Sequence, residues 1–260
     1  MIYKSIIAIV IFVIFSGCNE SPKRDHTSSK IDTVNQSSNP IQKTDSLKNF
    51  KSVEIPDGII TKLPTDDKII ALTFDACETK TTVHFDEGIL SYLLTEKIPF
   101  TIFMSGKFAK TNRERLTELS KIDFIEIENH SLNHNQHMER LNIAQVKDEV
   151  MENEKLLFDI TGKKTKLFRF PGGNYNENIL ETVESLGYRV VHWRIPTGDP
   201  DKHVTKARLV KWVLYITHPG EILIFHINGR GYKTAESLPE IIDNLKKQGY
   251  SFTKLEDYIK

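Results

Sequence analysis

The sequence predicts an α/β fold, a parallel barrel of strand–helix units, and three observations carry that expectation. Seven short strand-like runs, IIALTF, FTIFM, FIEIE, KLFRF, RVVHW, ILIFH and SFTKL, follow one another along the chain. Helical patterns lie between them: DEGILSYLLTE, RERLTELS, AQVKDEVMENEKLLFDI, ENILETVESLG and ESLPEIIDNLKKQG. Polar residues of chemical interest stand at the ends of five strand runs: Asp75, His130, Arg169, Asp199 and His226. In such a barrel the C-terminal rim of the strands is where side chains from distant segments converge, so these five read as one site. Seven strand runs instead of eight predict an incomplete or distorted closure.

The order of segments starts outside the fold. Lys4 is followed by the apolar run IIAIVIFVIF from Ile6 to Phe15 and by the small residues Ser16 and Gly17 before Cys18. That run is short for a membrane span and reads as a secretory signal over residues 1–17. Residues 18–60 are rich in Ser, Lys, Asp, Asn and Thr, with too few large apolar residues to offset the entropy of ordering them. They are expected to form a flexible, disordered linker. Residues 61–260 are the expected barrel domain. Within it Gly187 and Gly249 follow helical patterns and lead into strands, as helix-ending glycines do.

Composition excludes some function classes. Thirty-five basic residues balance thirty-five acidic ones, so no cationic surface drives binding to nucleic acid. The only cysteines, Cys18 and Cys77, stand in unrelated contexts, and a disulfide framework is not expected.

The metal signal is His130-Ser131-Leu132-Asn133-His134. An H-x-x-x-H spacing puts two imidazoles on one side of a helical turn, within reach of one divalent cation, and nitrogen ligands suit zinc or a neighbouring transition metal. Asp75 also has a structural reading as a helix cap. Arg169 reads equally as a rim ion pair, and Cys77 as a small buried hydrophobe. His84, His137, His192, His203 and His218 belong to no motif and read as surface or packing residues.

Taken together, TFDAC at Thr73 to Cys77, HSLNH at His130 to His134, RFPGG at Arg169 to Gly173 and LIFH at Leu223 to His226 resemble, in order, the motifs of the NodB-type polysaccharide deacetylases, carbohydrate esterase family 4. WRIPTGDP at Trp193 to Pro200 matches the family's remaining block more loosely. The resemblance implies a distorted (β/α)7 barrel of NodB type and hydrolysis of acetyl groups from N-acetylated or O-acetylated sugars. It implies Asp75 as general base, His226 as general acid, Arg169 orienting the base and Asp199 tuning the acid. It also implies His130 and His134 as ligands of a divalent metal ion, zinc or another transition metal, and the Gly172 amide as an oxyanion donor. Tyr175 and Trp193 are aromatic candidates for stacking on a sugar. FSGC resembles a bacterial lipobox, which implies lipidation at Cys18. The expected setting is the cell envelope, with the membrane engaged through the lipid anchor only and an acetylated polysaccharide or peptidoglycan as partner.

The largest departure from the family pattern is Ala76, which occupies the position of the third metal ligand. Asp75, water, Cys77 or a carboxylate such as Asp86 are the candidates to complete the shell. Pro196 and Pro200 replace two further family residues, leaving Asp199 alone to hold the acid histidine. A rival reading follows from Ala76: a glycan-binding lipoprotein on a catalytically impaired scaffold. Retention of Asp75, both histidines, Arg169 and His226 argues for the enzyme.

Overall fold

A computed structural model describes residues 58–78, 81 and 83–259 of the chain. The expected signal segment, Cys18 with its expected lipidation and nearly all of the expected linker lie outside the described residues. Eight strands form one sheet: β1 (Ile59–Ile60), β2 (Ile69–Ala76), β3 (Phe100–Met104), β4 (Ile125–Asn129), β5 (Leu167–Phe168), β6 (Arg189–Val191), β7 (Ile222–His226) and β8 (Ser251–Thr253). Their order is β1-β6-β5-β4-β3-β2-β7, with every named pairing parallel. β8 pairs with the first half of β2, where Ala71 is in register with both Ile222 and Thr253.

Closure is distorted, as seven units predict. No ladder joins the end strands β1 and β7. A single antiparallel bridge between Lys62 and Glu221, just past β1, connects them, and Leu63 N donates to Gly220 O at 2.8 Å. β1 is the strand that pattern reading missed, because two residues carry no period. Its partner is β6, with Ile59 opposite Val190. The runs read as KLFRF, RVVHW and SFTKL form ladders over only two or three residues, since the chain bends into rim loops beyond them.

The helices follow from capping and amphipathic pattern. They are α1 (Glu87–Thr95), α2 (Gly106–Thr111), α3 (Arg113–Leu119), α4 (Ile143–Thr161), α5 (Glu177–Ser185), α6 (Lys206–Ile216) and α7 (Thr234–Lys247). Asn142 and Gln145 form a capping box at the start of α4, and Gly162 ends it in the left-handed region. Asn176 and Thr205 cap α5 and α6 through their side chains. α2 and α6 were not anticipated. α6 buries Leu209, Val210, Val213 and Ile216, a helical spacing partly hidden by the surrounding Lys, Arg and aromatic residues.

Two apolar layers result. The outer faces of the central strands, with Ile70, Leu72, Phe74, Phe100 and Phe225, pack against α1, α3, α6 and α7. The inner layer contains Ala71, Phe103, Leu167, Val191, Ile222 and Leu255. Two acids, Glu126 and Glu128, are also buried. Glu126 Oε2 accepts from the amides of Leu255 at 2.8 Å and Glu256 at 3.2 Å, tying the C-terminal turn to β4. Burial pushes both carboxyls up, Glu128 well above the carboxylate range with the added repulsion of Glu126.

Candidate active site

The strand register brings the first two functional residues together across 151 positions of sequence. Asp75 lies directly beside His226 in the β2–β7 pairing and beside Phe103 in the β2–β3 pairing. Residues in register on parallel neighbours share a face of the sheet. His130 follows the last residue of β4, Arg169 the last of β5, and Asp199 stands in the loop after β6. All five sequence-picked residues therefore lie at the C-terminal rim.

Arg169 organises the base side. Its Nη1 donates to Asp75 Oδ1 at 2.8 Å, its Nε to Val191 O at 3.2 Å, and its guanidinium carbon lies 3.9 Å from the Phe103 ring centroid. Its own carbonyl accepts from His130 Nδ1 at 2.8 Å. A carbonyl only accepts, so Nδ1 carries the proton and Nε2 keeps its lone pair. Burial alone would raise the Asp75 carboxyl. The positive charges of His130, Arg169 and His226, with the Arg169 hydrogen bond, outweigh it and bring the group down to about 2. Of those three, the guanidinium is the permanent charge, because burial holds His130 itself below the usual imidazole range.

The two histidines of the H-x-x-x-H segment meet, but not on a helix. Ser131 and His134 both have positive φ, 64° and 54°, and the segment is a tight loop. Its shape is set from beneath: Ser131 N donates to Asn129 Oδ1, His134 N to Ser131 Oγ, and Gly106 N and Lys107 N cap the carbonyls of Ser131 and Leu132. Asn153 of α4 donates to the same Asn129 oxygen at 2.8 Å. The imidazole centroids end 5.0 Å apart.

His130 Nε2 and His134 Nδ1 are buried without a hydrogen-bond partner. Burial lowers both rings below the ordinary imidazole value, His134 to about 3, where a proton on His130 would repel one on His134. Neutral imidazoles with unpartnered nitrogens fit a cation. Asp75 Oδ2 lies 3.5 Å from His130 Nε2, close enough to share such an ion and too long for a strong hydrogen bond. Among the described residues, however, no set of three or more His, Cys, Asp and Glu side chains is arranged to hold a metal. Two candidates for the ligand that Ala76 lacks are spoken for. Asp86 is the N-cap of α1, with Oδ1 accepting from Gly88 N and Ile89 N. The Cys77 thiol, pushed up to about 12 by burial and the Asp75 charge, is held by Asn228 Nδ2 at 3.1 Å.

The acid side is built around Asp199, which is buried. Its Oδ1 meets His226 Nδ1 at 2.9 Å, and its Oδ2 accepts from His226 N at 2.7 Å and Thr234 Oγ1 at 3.0 Å. Thr197 Oγ1 approaches Oδ1 at 3.4 Å while donating to Ile224 O. Burial would favour a neutral His226, but the Asp199 charge and hydrogen bond outweigh it and hold the imidazole above its ordinary value. Sequence reading missed Thr197 and Thr234, because a threonine at a loop end or helix start carries no signal of its own.

A cavity of about 230 Å³ opens between the two sides, with Asp75, His134, Trp193, His226 and Arg230 in its wall. Gly172, at φ 66°, also lines it. Tyr175 does not. Its ring stacks on Phe170 at 5.7 Å and meets His192 edge-on at 5.4 Å, so packing claims the aromatic that was expected on a sugar. His192 is a packing residue, stacked on Trp193 at 5.3 Å. His84 bonds Asn112 and His137 bonds Glu139. His203 and His218 are exposed.

The family profile of polysaccharide deacetylases matches residues 62–191, a span that contains Asp75, His130, His134 and Arg169. The chain belongs to the polysaccharide deacetylase family. Membership places it among carbohydrate deacetylases, hydrolases of non-peptide carbon–nitrogen bonds. Two family relatives are each 30% identical to this chain. The peptidoglycan-N-acetylmuramic acid deacetylase PdaA of Bacillus subtilis aligns over 196 residues, 74% of this chain and 72% of its own. A peptidoglycan-N-acetylglucosamine deacetylase of Bacillus cereus aligns over 212 residues, 79% of this chain and 95% of its own. A family 4 pseudoenzyme from Bacillus anthracis superposes with a TM-score of 0.69 at 22% identity, covering 79% of this chain and 70% of its own, a likeness of fold.

Proposed function

We propose that this deacetylase is an envelope-anchored, cation-dependent enzyme that removes acetyl groups from the amino sugars of a peptidoglycan-type glycan. One observation carries the reading: Asp75, ion-paired with Arg169 and brought down to about 2, and His226, held by Asp199 above its ordinary value, stand beside each other on neighbouring strands and at one cavity. A mere binder has no use for that pairing of a base and an acid. The two relatives named for peptidoglycan substrates support the choice of polymer.

His130 and His134 would hold the cation, with Asp75 beside them. What such an ion supplies when bound is polarisation of the acetyl carbonyl and acidification of water. Asp75, ionised throughout the working range, takes a proton from the attacking water, and Arg169 keeps its carboxylate aimed. Water adds to the carbonyl carbon. As the C–N bond breaks, His226 gives its proton to the leaving nitrogen, and acetate and a free amine depart. Asp199 helps His226 keep the proton that it gives. We assign the Gly172 amide to the developing oxyanion, on the strength of its place in the cavity wall.

Anchoring rests on the short apolar run Ile6–Phe15 followed by Ser16, Gly17 and Cys18, with residues 18–60 as tether and 61–260 as catalytic domain. Acetate release from peptidoglycan strands and N-acetylglucosamine oligomers tests the activity. Binding of these glycans with no acetate released across zinc, cobalt and manganese would favour the glycan-binding alternative, which Ala76 motivates.

A further inference from the structure

We propose that Arg230 is a specificity residue that binds a carboxylate carried by the sugar undergoing deacetylation, so that the preferred substrate is an anionic acetamido sugar. The inference rests on the reading of the cavity as a deacetylase site and deepens it.

Arg230 lies in the cavity wall beside Cys77, His134 and His226, and its charge acts on all three. It is half-buried, not a solvated surface arginine. The short loop that carries it is clamped on both sides. Before it, Asn228 is buried, donates to Cys77 O at 2.5 Å and accepts from Arg230 N at 3.3 Å. After it, Gly231 packs so closely that a Cβ there would sit 2.3 Å from His226 O. Tyr232 N donates to Asp199 O at 2.8 Å. The guanidinium is thus presented from a fixed backbone.

Arg230 forms no ion pair with a carboxylate among the described residues, although two carboxylates stand at the same cavity. Asp75 is taken by Arg169 at 2.8 Å and Asp199 by His226 at 2.9 Å. Subtracting those pairs leaves one fixed positive charge facing the cavity. Within the free protein that charge works against the acid, because it opposes protonation of His226. Arg230 touches the Cys77 thiol, and a cation held there with no carboxylate partner among the described residues is complementary to an anion that arrives with the substrate. A guanidinium matches a carboxylate in two-pronged geometry. Two kinds of sugar present one: a muramic-type sugar, with the acid on an ether next to the acetamido group, and an amino-uronic acid, with the acid on the ring's exocyclic carbon.

Calorimetric binding tests this without turnover. N-acetylmuramic acid, its methyl ester, N-acetylglucosaminuronic acid and N-acetylglucosamine are titrated into the native full chain and into Arg230→Gln and Arg230→Glu. Circular dichroism checks that both variants fold. At least one acid should bind the native protein about tenfold or more tightly than its neutral counterpart, the scale of a charge-assisted hydrogen bond. The preference should vanish in Arg230→Gln and reverse in Arg230→Glu. Whichever acid is preferred identifies the kind of sugar. Equal affinity for acids and neutral sugars in the native protein, or a preference that survives in Arg230→Gln, overturns the proposal. In acetate release, the kcat/KM ratio of acidic to neutral substrate should fall in Arg230→Gln. An equal loss on both would mean that Arg230 serves the reacting carbonyl, and also overturns it. Absence of acetate release from every substrate would count against the deacetylase reading while leaving the binding comparison intact.

Discussion

At the residue scale the account turns on two protonation states. Asp75→Asn removes the proton acceptor and His226→Ala the donor, so each should lower kcat by about 10²-fold or more with a much smaller change in KM. Steady-state acetate release measures both, and unchanged turnover in either variant would mean a misassigned role. Asp199 gives a finer test. A histidine whose pKa is raised keeps its proton to higher pH, so activity that needs the imidazolium is present below that pKa and falls as pH rises through it. Removing the Asp199 charge lowers the His226 pKa. Asp199→Asn should therefore move the alkaline limb of the kcat profile to lower pH, whereas a limb that stays in place would show that another group sets it. Asp75 and His226 were legible from sequence because each closes a strand run, and Asp199 because it follows one. Arg230 was hidden. An arginine between two loop glycines looks solvated until the loop's clamps are seen.

At the element scale the site depends on short irregular segments. Register explains why β2 and β7 deliver Asp75 and His226 together, and that much follows from strand order. The His130–His134 segment is different. Its spacing suggested a helical turn, yet the rings meet through two left-handed residues braced by Asn129 and Asn153, a geometry that side-chain spacing does not encode. Glu126 and Glu128 are a second case that pattern does not encode. They alternate with Ile125 and Ile127 in β4, yet both are buried, which the alternation by itself does not reveal. The loop after β7 supplies the test at this scale. Gly231→Ala would drive a methyl against His226 O and Asp199 Oδ2, so the loop must shift or strain. A destabilisation of about 1–3 kcal/mol is expected, with reduced kcat, because the same loop holds Asp199 through Tyr232 and Thr234. Urea denaturation and acetate release measure the two effects, and wild-type values in both would show that the loop is slack.

At the scale of the whole molecule the alternation of runs and helices was enough to recover the barrel and its incomplete closure, because long apolar runs and amphipathic periods are properties of sequence alone. β1, α2 and α6 escaped, two of them too short to show a period and the third masked by its charged and aromatic exposed side. The proposed anchor makes a separate prediction. Cys18→Ser should abolish incorporation of a labelled fatty acid and release the domain from the membrane fraction, and labelling that persists would exclude Cys18 as the acceptor. The central claim is that His130, His134 and Asp75 work with a divalent cation to deacetylate a glycan, even though Ala76 offers no ligand. Acetate released from peptidoglycan strands, measured before chelation, after chelation and after restoring zinc or cobalt, tests it most directly. The account predicts release, loss and recovery, with His130→Ala unable to recover. Acetate release that survives thorough chelation, or none from the metal-loaded protein, would contradict it.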